Sequence, residues 1–111
     1  MAVSAKLTII EGSDRGKVLA IAEAPITVGR YPNGDLVISD EDLGVSGKHF
    51  EIRYRRGEYC IYNYGKNGTF VNGREISEGV LNDGDQIQIG FSTVLQFKLE
   101  GLTRIEPGSA G

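Results

Sequence analysis

Three short polar segments of the sequence carry side chains suited to holding an anion. Arg30 follows Gly29 at the end of an apolar run, Ser46 stands three residues before His49, and Asn67 opens an Asn-Gly-Thr sequence. Arginine presents a planar set of N–H donors that can bond two phosphate oxygens at once, and a serine hydroxyl adds another donor. An asparagine amide has both a donor and an acceptor, which suits binding the backbone of an extended peptide. These residue types therefore indicate recognition of a phosphate carried on a peptide.

A phosphate site needs fixed donors as well as positive charge. A phosphate monoester brings about −1.5 to −2 charges and three acceptor oxygens. Lys66, directly before Asn67, could supply an ammonium donor or could be a solvated loop lysine. Arg30 alone would be a solvated arginine, and Ser46 alone a turn-forming hydroxyl. The prediction of phosphate contact therefore depends on the three segments acting together.

The composition is that of one folded domain and disfavours a nucleic-acid binder. The chain has 111 residues, 40% hydrophobic and 24% charged, which is ordinary for a single globular domain. A net charge of −3 leaves no excess of Lys and Arg for direct contact with nucleic acid. The sequence has neither a basic leader with an apolar run behind it nor an apolar stretch of about 18 residues. We expect a monomeric domain without membrane contact, and the single cysteine, Cys60, suits a reducing intracellular compartment.

Short apolar runs alternate with turn residues along the chain. The runs are rich in Val, Ile, Tyr and Phe and are separated by Gly, Asn, Asp or Ser at spacings typical of a β-sandwich. Two of them, Phe50–Tyr54 and Gln86–Ile89, alternate apolar with polar residues as half-buried strands do. The predicted strands are Lys6–Glu11, Lys17–Ile21, Ile26–Gly29, Leu36–Ile38, His49–Tyr54, Tyr59–Asn63, Gly68–Val71, Arg74–Glu75, Val80–Leu81, Asp85–Ile89 and Thr93–Leu99. The predicted fold class is all-β, with two antiparallel sheets packed as a sandwich.

Turn residues and composition set the predicted limits of the domain. Three Asn-Gly pairs predict tight turns with positive φ: Asn33-Gly34, Asn67-Gly68 and Asn72-Gly73. Residues 1–4 are predicted to be a flexible N-terminus, and residues 5–100 the folded domain. Residues 101–111 end in Pro-Gly-Ser-Ala-Gly, which predicts a flexible tail or linker.

The order of these motifs resembles that of the forkhead-associated (FHA) domain. The family signature runs Gly-Arg, Ser-x-x-His, Asn-Gly-Thr, x-Val-Asn-Gly and then a strand opened by Gly-Asp. The chain carries the matching residues in the same order: Gly29-Arg30, Ser46 to His49, Asn67 to Gly73 and Gly84-Asp85. The resemblance covers about residues 5 to 100. It implies an eleven-stranded β-sandwich whose apical loops bind phosphothreonine peptides, and hence an adaptor for a phosphothreonine-containing signalling protein.

The resemblance also implies a role for individual residues. Arg30 and Ser46 would contact the phosphate, and Asn67 would hold the peptide backbone. His49 would brace the loops without touching the ligand. The other residues expected to shape the loops are Gly29, Gly68, Thr69 and Asn72.

Two positions depart from the family pattern. Family members often carry a second phosphate-contacting side chain directly after the Ser, where this chain has Gly47. The side chain two residues before the Ser often sets the preference for the peptide residue three after the phosphothreonine. That position is Gly44, which predicts no sharp acidic preference. The spelling of Ser46–His49 resembles plant FHA domains, and we expect an intracellular protein that is nuclear rather than cytoplasmic.

Three other functions remain open on the sequence. An enzyme would need a nucleophile with an oriented base, but His49 and Cys60 lie on different predicted strands, so we expect neither catalysis nor a cofactor. A calcium-dependent membrane-binding sandwich could use the acidic segments Asp40–Asp42 and Asn82–Asp85, although the sequence contains no twelve-residue calcium loop and we expect no metal site. An FHA-like sandwich could also assemble with partners through a sheet face, independently of phosphate.

Overall fold

Every helix or strand in the part of the chain that the structure describes is a β-strand. The computed structural model describes residues 4–100. The eleven strands are β1 (Ser4–Glu11), β2 (Val18–Ile21), β3 (Ile26–Gly29), β4 (Leu36–Val37), β5 (Phe50–Arg55), β6 (Glu58–Asn63), β7 (Thr69–Val71), β8 (Arg74–Ile76), β9 (Glu78–Val80), β10 (Gln86–Ile89) and β11 (Thr93–Glu100). The all-β prediction is confirmed, and the predicted strand limits agree to within two residues at each end. Over residues 4–100, no helix is long and apolar enough to cross a membrane.

The structure bears on the predicted chain ends only in part. Strand β1 begins at Ser4, inside the segment predicted to be a flexible N-terminus. The rest of that segment, residues 1–3, and the predicted tail, residues 101–111, lie outside the described residues.

The strands form two sheets that pack against each other. The order is β2-β1-β11-β10-β7-β8 in the six-stranded sheet and β4-β3-β5-β6-β9 in the five-stranded sheet. Neighbouring strands are antiparallel except β3 and β4, which are parallel. The parallel pair differs from the predicted antiparallel sheet because the chain folds back after β3: Asp35 N–H donates to Thr27 O at 3.0 Å, and Ile38 N–H to Gly29 O at 2.8 Å.

The core consists of the inward-facing residues of both sheets. Alternation along the central strands sends every second side chain between the sheets. The largest buried apolar side chains include Leu7, Ile9, Ile21, Phe50, Ile52, Ile61, Ile87, Ile89, Leu95 and Phe97. Burying one such side chain contributes about 1.5–3 kcal/mol of hydrophobic free energy. This core fixes the strand ends, and the strand ends fix the loops that follow them.

The three Asn-Gly pairs predicted to adopt positive φ differ in outcome, and Asn67-Gly68 has positive φ only at its glycine, at 89°. The Asn72-Gly73 pair has φ values of 52° and 84° and joins β7 to β8, as predicted. The prediction of positive φ at Asn33-Gly34 is wrong, since neither residue has one; Gly34 N–H donates instead to Tyr31 O at 3.1 Å in a turn with ordinary φ values. The Arg56-Gly57 pair, with φ values of 53° and 83°, joins β5 to β6. Arginine seldom adopts positive φ, so only the glycine indicated this turn.

Five loops lie at one end of the sandwich, which we call the apical end. They are residues 12–17, 30–35, 38–49, 64–68 and 90–92. The opposite, basal end carries the first and last described residues, because Ser4 lies opposite Glu100 in the β1–β11 register.

Candidate functional site

Arg30 lies directly after β3, where the apical loops meet. Its backbone N–H donates to Ser46 O at 3.1 Å, which joins the loop after β3 to the loop before β5. Its guanidinium Nη1 is 3.7 Å from Oδ1 of Asp40, whose side chain is 91% exposed. Its Nε is buried and has no hydrogen-bond partner among the described residues. A buried donor without an acceptor costs about 1–3 kcal/mol.

Ser46 joins the Arg30 loop to the loop after β6. Its Oγ accepts a hydrogen bond from the Lys66 backbone N–H at 3.0 Å. The hydroxyl hydrogen is not used by that bond, so Ser46 keeps a donor for an anion. Lys66 is exposed, with its backbone committed to Ser46. The structure thus brings together the three residues predicted to contact phosphate.

Asn67 lies beside the same group of loops. Its Nδ2 donates to Gly44 O at 3.1 Å, which fixes the amide against the loop between β4 and β5. Beyond that bond, the amide has a second N–H and a carbonyl oxygen. The side chain is therefore both anchored and equipped to bond a peptide backbone, as its predicted role requires.

His49 is completely buried beneath these loops. Its Nδ1 accepts the Ser46 N–H at 3.0 Å, and its Nε2 lies 2.8 Å from Gly68 O. Only the neutral tautomer with hydrogen on Nε2 satisfies both bonds. Burial lowers the pKa of His49 and outweighs the bond to Gly68 and the charge of Asp42, which raise it. The ring joins the loop that carries Ser46 to the loop that carries Gly68 and stays uncharged at neutral pH.

Two glycines allow the loops to pack this closely. A Cβ on Gly65 would lie 2.3 Å from Cε1 and Nε2 of the buried His49 ring, and a Cβ on Gly29 would lie 2.1 Å from Gly47 O. Gly29 was among the predicted loop-shaping residues. Gly65 was not, because its requirement comes from a ring that is distant in sequence and leaves no local signal.

Thr69 and Asn72 have different locations. Thr69 is buried at the start of β7, and its Oγ1 donates to Asn63 Oδ1 at 2.6 Å, so it supports the apical loop. Asn72 lies at the basal end instead: its Nδ2 donates to Asp85 Oδ1 at 2.8 Å, and its Oδ1 accepts Gln86 N–H at 2.9 Å. Asn72 was predicted to shape the apical loops. It instead joins the β7–β8 turn to the chain around the start of β10, away from the candidate site.

Asp42 is an organising residue that the sequence prediction missed. Its carboxylate accepts hydrogen bonds from Gly44 N–H, Phe91 N–H, Ser92 N–H and Thr93 Oγ1 at 2.8–3.1 Å, joining the loops on either side of the site. Burial opposes its charge, but these donors outweigh burial and lower the pKa of Asp42 to about 2. Ionised Asp42 therefore stabilises the folded state. This contribution to the free energy of unfolding is complete above the ordinary aspartate pKa and is lost as pH falls through about 2.

One carboxylate in each acidic segment considered for calcium accepts several hydrogen bonds from the protein's own donors. Besides Asp42, the carboxylate of Asp85 accepts from Asn72 and from the Asn82 N–H. Within residues 4–100, no group of three or more His, Cys, Asp or Glu side chains is arranged to hold a metal ion.

Comparison with known families identifies the fold. A family model described as FHA domain matches residues 26–90. The match spans more than half of the chain and includes Arg30, Ser46, His49 and Asn67. The chain belongs to the FHA domain family. The resemblance drawn from the motif order is thereby confirmed.

Relatives of this FHA domain occur in bacteria. The glycogen accumulation regulator GarA of Mycolicibacterium smegmatis is 32% identical over 109 residues, covering 97% of this chain and 65% of that protein. The oxoglutarate dehydrogenase inhibitor of Corynebacterium efficiens is 37% identical over 88 residues, covering 78% of this chain and 61% of that protein. The chain therefore spans less than two thirds of the length of these relatives.

A solved FHA structure shares both the fold and part of the sequence. It comes from a structural and functional analysis of phosphothreonine-dependent FHA domain interactions. Its TM-score is 0.77 at 30% identity, over 89% of this chain and 99% of that chain.

The bacterial relatives correct two predictions. The predicted nuclear localisation is wrong, because the relatives are bacterial proteins and bacteria have no nucleus. The plant-type resemblance of Ser46–His49 is not supported either, since the relatives are mycobacterial and corynebacterial. A four-residue spelling specifies loop chemistry and carries little information about lineage or compartment.

The two glycines that depart from the family pattern both lie in close contacts. A Cβ on Gly47 would lie 2.2 Å from Cε1 of Tyr31, so the tyrosine ring takes the space beside Ser46. A Cβ on Gly44 would lie 2.8 Å from the Cα of Gly90, where the loops before β5 and after β10 touch. In this FHA domain, glycine at positions 44 and 47 thus leaves the space that Gly90 and the Tyr31 ring occupy.

Proposed function

We propose that this FHA domain binds phosphothreonine in an extended segment of a partner protein and acts as a phosphorylation-dependent adaptor. The observation that carries the proposal is that Ser46 joins the loops of Arg30 and Lys66: its O accepts the Arg30 N–H at 3.1 Å, and its Oγ accepts the Lys66 N–H at 3.0 Å. A phosphate monoester supplies several acceptor oxygens at once. The related structure from work on phosphothreonine-dependent FHA interactions supports the same ligand.

The site residues divide the work of binding. Arg30 bonds two phosphate oxygens through its fork of donors. The Ser46 hydroxyl donates its hydrogen to the phosphate, since its bond with the Lys66 N–H uses only the oxygen. Lys66 contributes through its ammonium group, since its backbone N–H is taken. Asn67 holds the peptide backbone with the part of its amide that Gly44 does not use.

A regulatory role fits the relatives better than catalysis does. Two of them are a regulator of glycogen accumulation and an inhibitor of oxoglutarate dehydrogenase. The nitrogens of His49 are both used in holding loops, and Cys60 lies opposite Arg53 on a different strand. Neither residue has the oriented partner that a catalytic base or nucleophile requires. We therefore assign the domain a binding function without catalysis.

Peptide libraries test this proposal directly. Fluorescence polarisation would compare degenerate peptides carrying phosphothreonine, phosphoserine or unphosphorylated threonine at a fixed position. We expect binding to the phosphorylated libraries only, with phosphothreonine about fourfold tighter than phosphoserine because one buried methyl group contributes about 0.8 kcal/mol. Equal binding of the unphosphorylated library, or no binding of the phosphothreonine library, would refute the proposal.

Asp40 should weaken the site by competing for Arg30. Replacing it in the variant Asp40→Asn removes a carboxylate 3.7 Å from the guanidinium. Because an exposed ion pair contributes about 0.2–1 kcal/mol, phosphopeptide affinity should rise by about 1.5- to 5-fold. Asp83→Asn is the control for a loss of negative charge, since Asp83 is an exposed residue that lies 3.6 Å from Lys98, outside the apical loops. Weaker binding by Asp40→Asn, or an equal gain in the control, would contradict this expectation.

A further inference from the structure

The three Asn-Gly pairs of the chain differ in how their asparagine side chains are held. An Asn-Gly pair is chemically labile, because glycine has no Cβ that would hinder attack of its backbone nitrogen on the amide of the preceding side chain. The pairs are Asn33-Gly34, Asn67-Gly68 and Asn72-Gly73. All three asparagines are exposed, so access of water does not distinguish them and their hydrogen bonds have to.

Two of the three asparagine side chains are bonded to the rest of the domain. Asn72 Nδ2 donates to Asp85 Oδ1 at 2.8 Å, and Asn72 Oδ1 accepts the Gln86 N–H at 2.9 Å. Asn67 Nδ2 donates to Gly44 O at 3.1 Å. Either side chain has to break these bonds before it can turn toward the next glycine nitrogen. Each bond should slow that reaction by about 2- to 12-fold.

The Asn33 side chain makes no hydrogen bond within the part of the chain that the structure describes. Its glycine neighbour is held as in the Asn67 pair: Gly34 N–H donates to Tyr31 O at 3.1 Å, and Gly68 N–H donates to Gly65 O at 3.2 Å. The two glycine nitrogens are thus equally engaged, and the pairs differ in the asparagine side chain. Opening one turn of an exposed loop costs little free energy, so the Gly34 bond gives slight protection.

We propose that Asn33 is a site of spontaneous deamidation and that its conversion weakens the phosphopeptide site. The Gly34 nitrogen forms a bond to Cγ of Asn33, and the bond from Cγ to Nδ2 breaks. Nδ2 leaves as ammonia with the proton that the Gly34 nitrogen gives up. One water molecule then opens the resulting cyclic imide at either of its carbonyls, which yields aspartate or isoaspartate.

The new carboxylate would lie beside the residues proposed to bind phosphate, so the effect on binding rests on the proposed function. Asn33, Gly47 and Lys48 line one cleft of about 180 Å³, and Gly47 follows Ser46 in the chain. Lys48 is the one charged residue of that lining. Because aspartate is ionised at neutral pH, conversion adds a negative charge that opposes the phosphate and attracts the Lys48 ammonium. Phosphopeptide affinity should fall by about 1.5- to 5-fold.

Peptide mapping by mass spectrometry tests the site. The folded domain and the same chain unfolded in urea are incubated at mildly alkaline pH, and the aspartate and isoaspartate formed at each pair are quantified. In the folded domain we expect Asn33 to convert about 2- to 12-fold faster than Asn67, and at least about fivefold faster than Asn72. In the unfolded chain the three rates should be similar. No conversion at Asn33, faster conversion at another pair, or the same order of rates in the unfolded chain would overturn the site.

Two sets of variants connect the reaction to its cause and its effect. Gly34→Ala places a methyl group beside the attacking nitrogen and should slow conversion at residue 33 without changing the other two pairs; Gly34 has no positive φ, so alanine fits its backbone. Asn33→Asp should bind one defined phosphopeptide about 1.5- to 5-fold more weakly than the neutral control Asn33→Ser. Equal affinity of Asn33→Asp and Asn33→Ser would overturn the effect on binding. If the unmodified domain binds no phosphopeptide, the proposed function fails, and peptide mapping still decides the deamidation site.

Discussion

Replacing Arg30 with alanine should weaken phosphothreonine-peptide binding by about 30- to 5000-fold, which corresponds to about 2–5 kcal/mol. The large loss follows from the partial burial of the Arg30 side chain, which is 30% exposed and has an Nε without a hydrogen-bond partner among the described residues. Its removal leaves the phosphate charge facing Ser46 and the exposed Asp40 with no fork of donors opposite it. Isothermal titration calorimetry with one defined phosphopeptide measures the loss.

Two variants show whether charge or geometry causes the loss at Arg30. Arg30→Lys keeps the positive charge but not the planar pair of donors, so it should recover only part of the affinity. Arg74→Ala removes an exposed arginine at the start of β8 and should bind like the unmodified domain. If Arg30→Ala and Arg74→Ala bind equally well, the phosphate does not lie at Arg30. If the unfolding free energy of Arg30→Ala and of Arg74→Ala equals that of the unmodified domain, the effect of Arg30→Ala is on binding alone.

Replacing His49 with alanine should lower the free energy of unfolding by about 3–5 kcal/mol, the largest stability effect expected at the site. The ring is completely buried, and its removal leaves the Ser46 N–H and the Gly68 carbonyl without partners. Each such loss costs about 1–3 kcal/mol, and the vacated volume adds a cavity term. Urea unfolding followed by circular dichroism measures the change.

The same contact can be disturbed from the opposite side. Gly65→Ala introduces a methyl group 2.3 Å from the His49 ring, and the enclosed ring has no space to move, so stability should fall by about 1–3 kcal/mol. Gly79→Ala is the matched control, because a Cβ at Gly79 meets no atom within 4 Å. Wild-type stability in both His49→Ala and Gly65→Ala would show that the ring does not hold the loops together.

The fold and the proximity of the candidate site residues were predictable because local sequence patterns determine them. Strict alternation in Phe50–Tyr54 fixes both the strand and its buried face, and the order of short motifs placed Arg30 and Ser46 on loops that the structure brings together. Asp42 could not be assigned in this way, since its partner Phe91 lies 49 positions later in the sequence. In the sequence it was one carboxylate of an acidic segment, and only the folded chain supplies the donors that surround it.

The turns show a similar limit. Asn72-Gly73 and Asn33-Gly34 have the same composition, yet only the first adopts positive φ. The first joins two antiparallel strands, whose twist requires that geometry. The second lies in a loop that returns to form the parallel β3–β4 pair, where an ordinary turn fits. The pairing of the flanking strands therefore decides the turn type, and composition only permits it.

The pairing of Ser4 with Glu100 sets how the domain connects to its surroundings. Both residues lie at the basal end, and the eight residues of β11 span about 26 Å at about 3.3 Å per residue. Polypeptide entering at Ser4 and leaving at Glu100 would therefore start side by side on the side of the sandwich remote from Arg30. In a longer chain, both connections to the domain would therefore lie at the basal end. The apical loops at the opposite end would stay accessible to a partner.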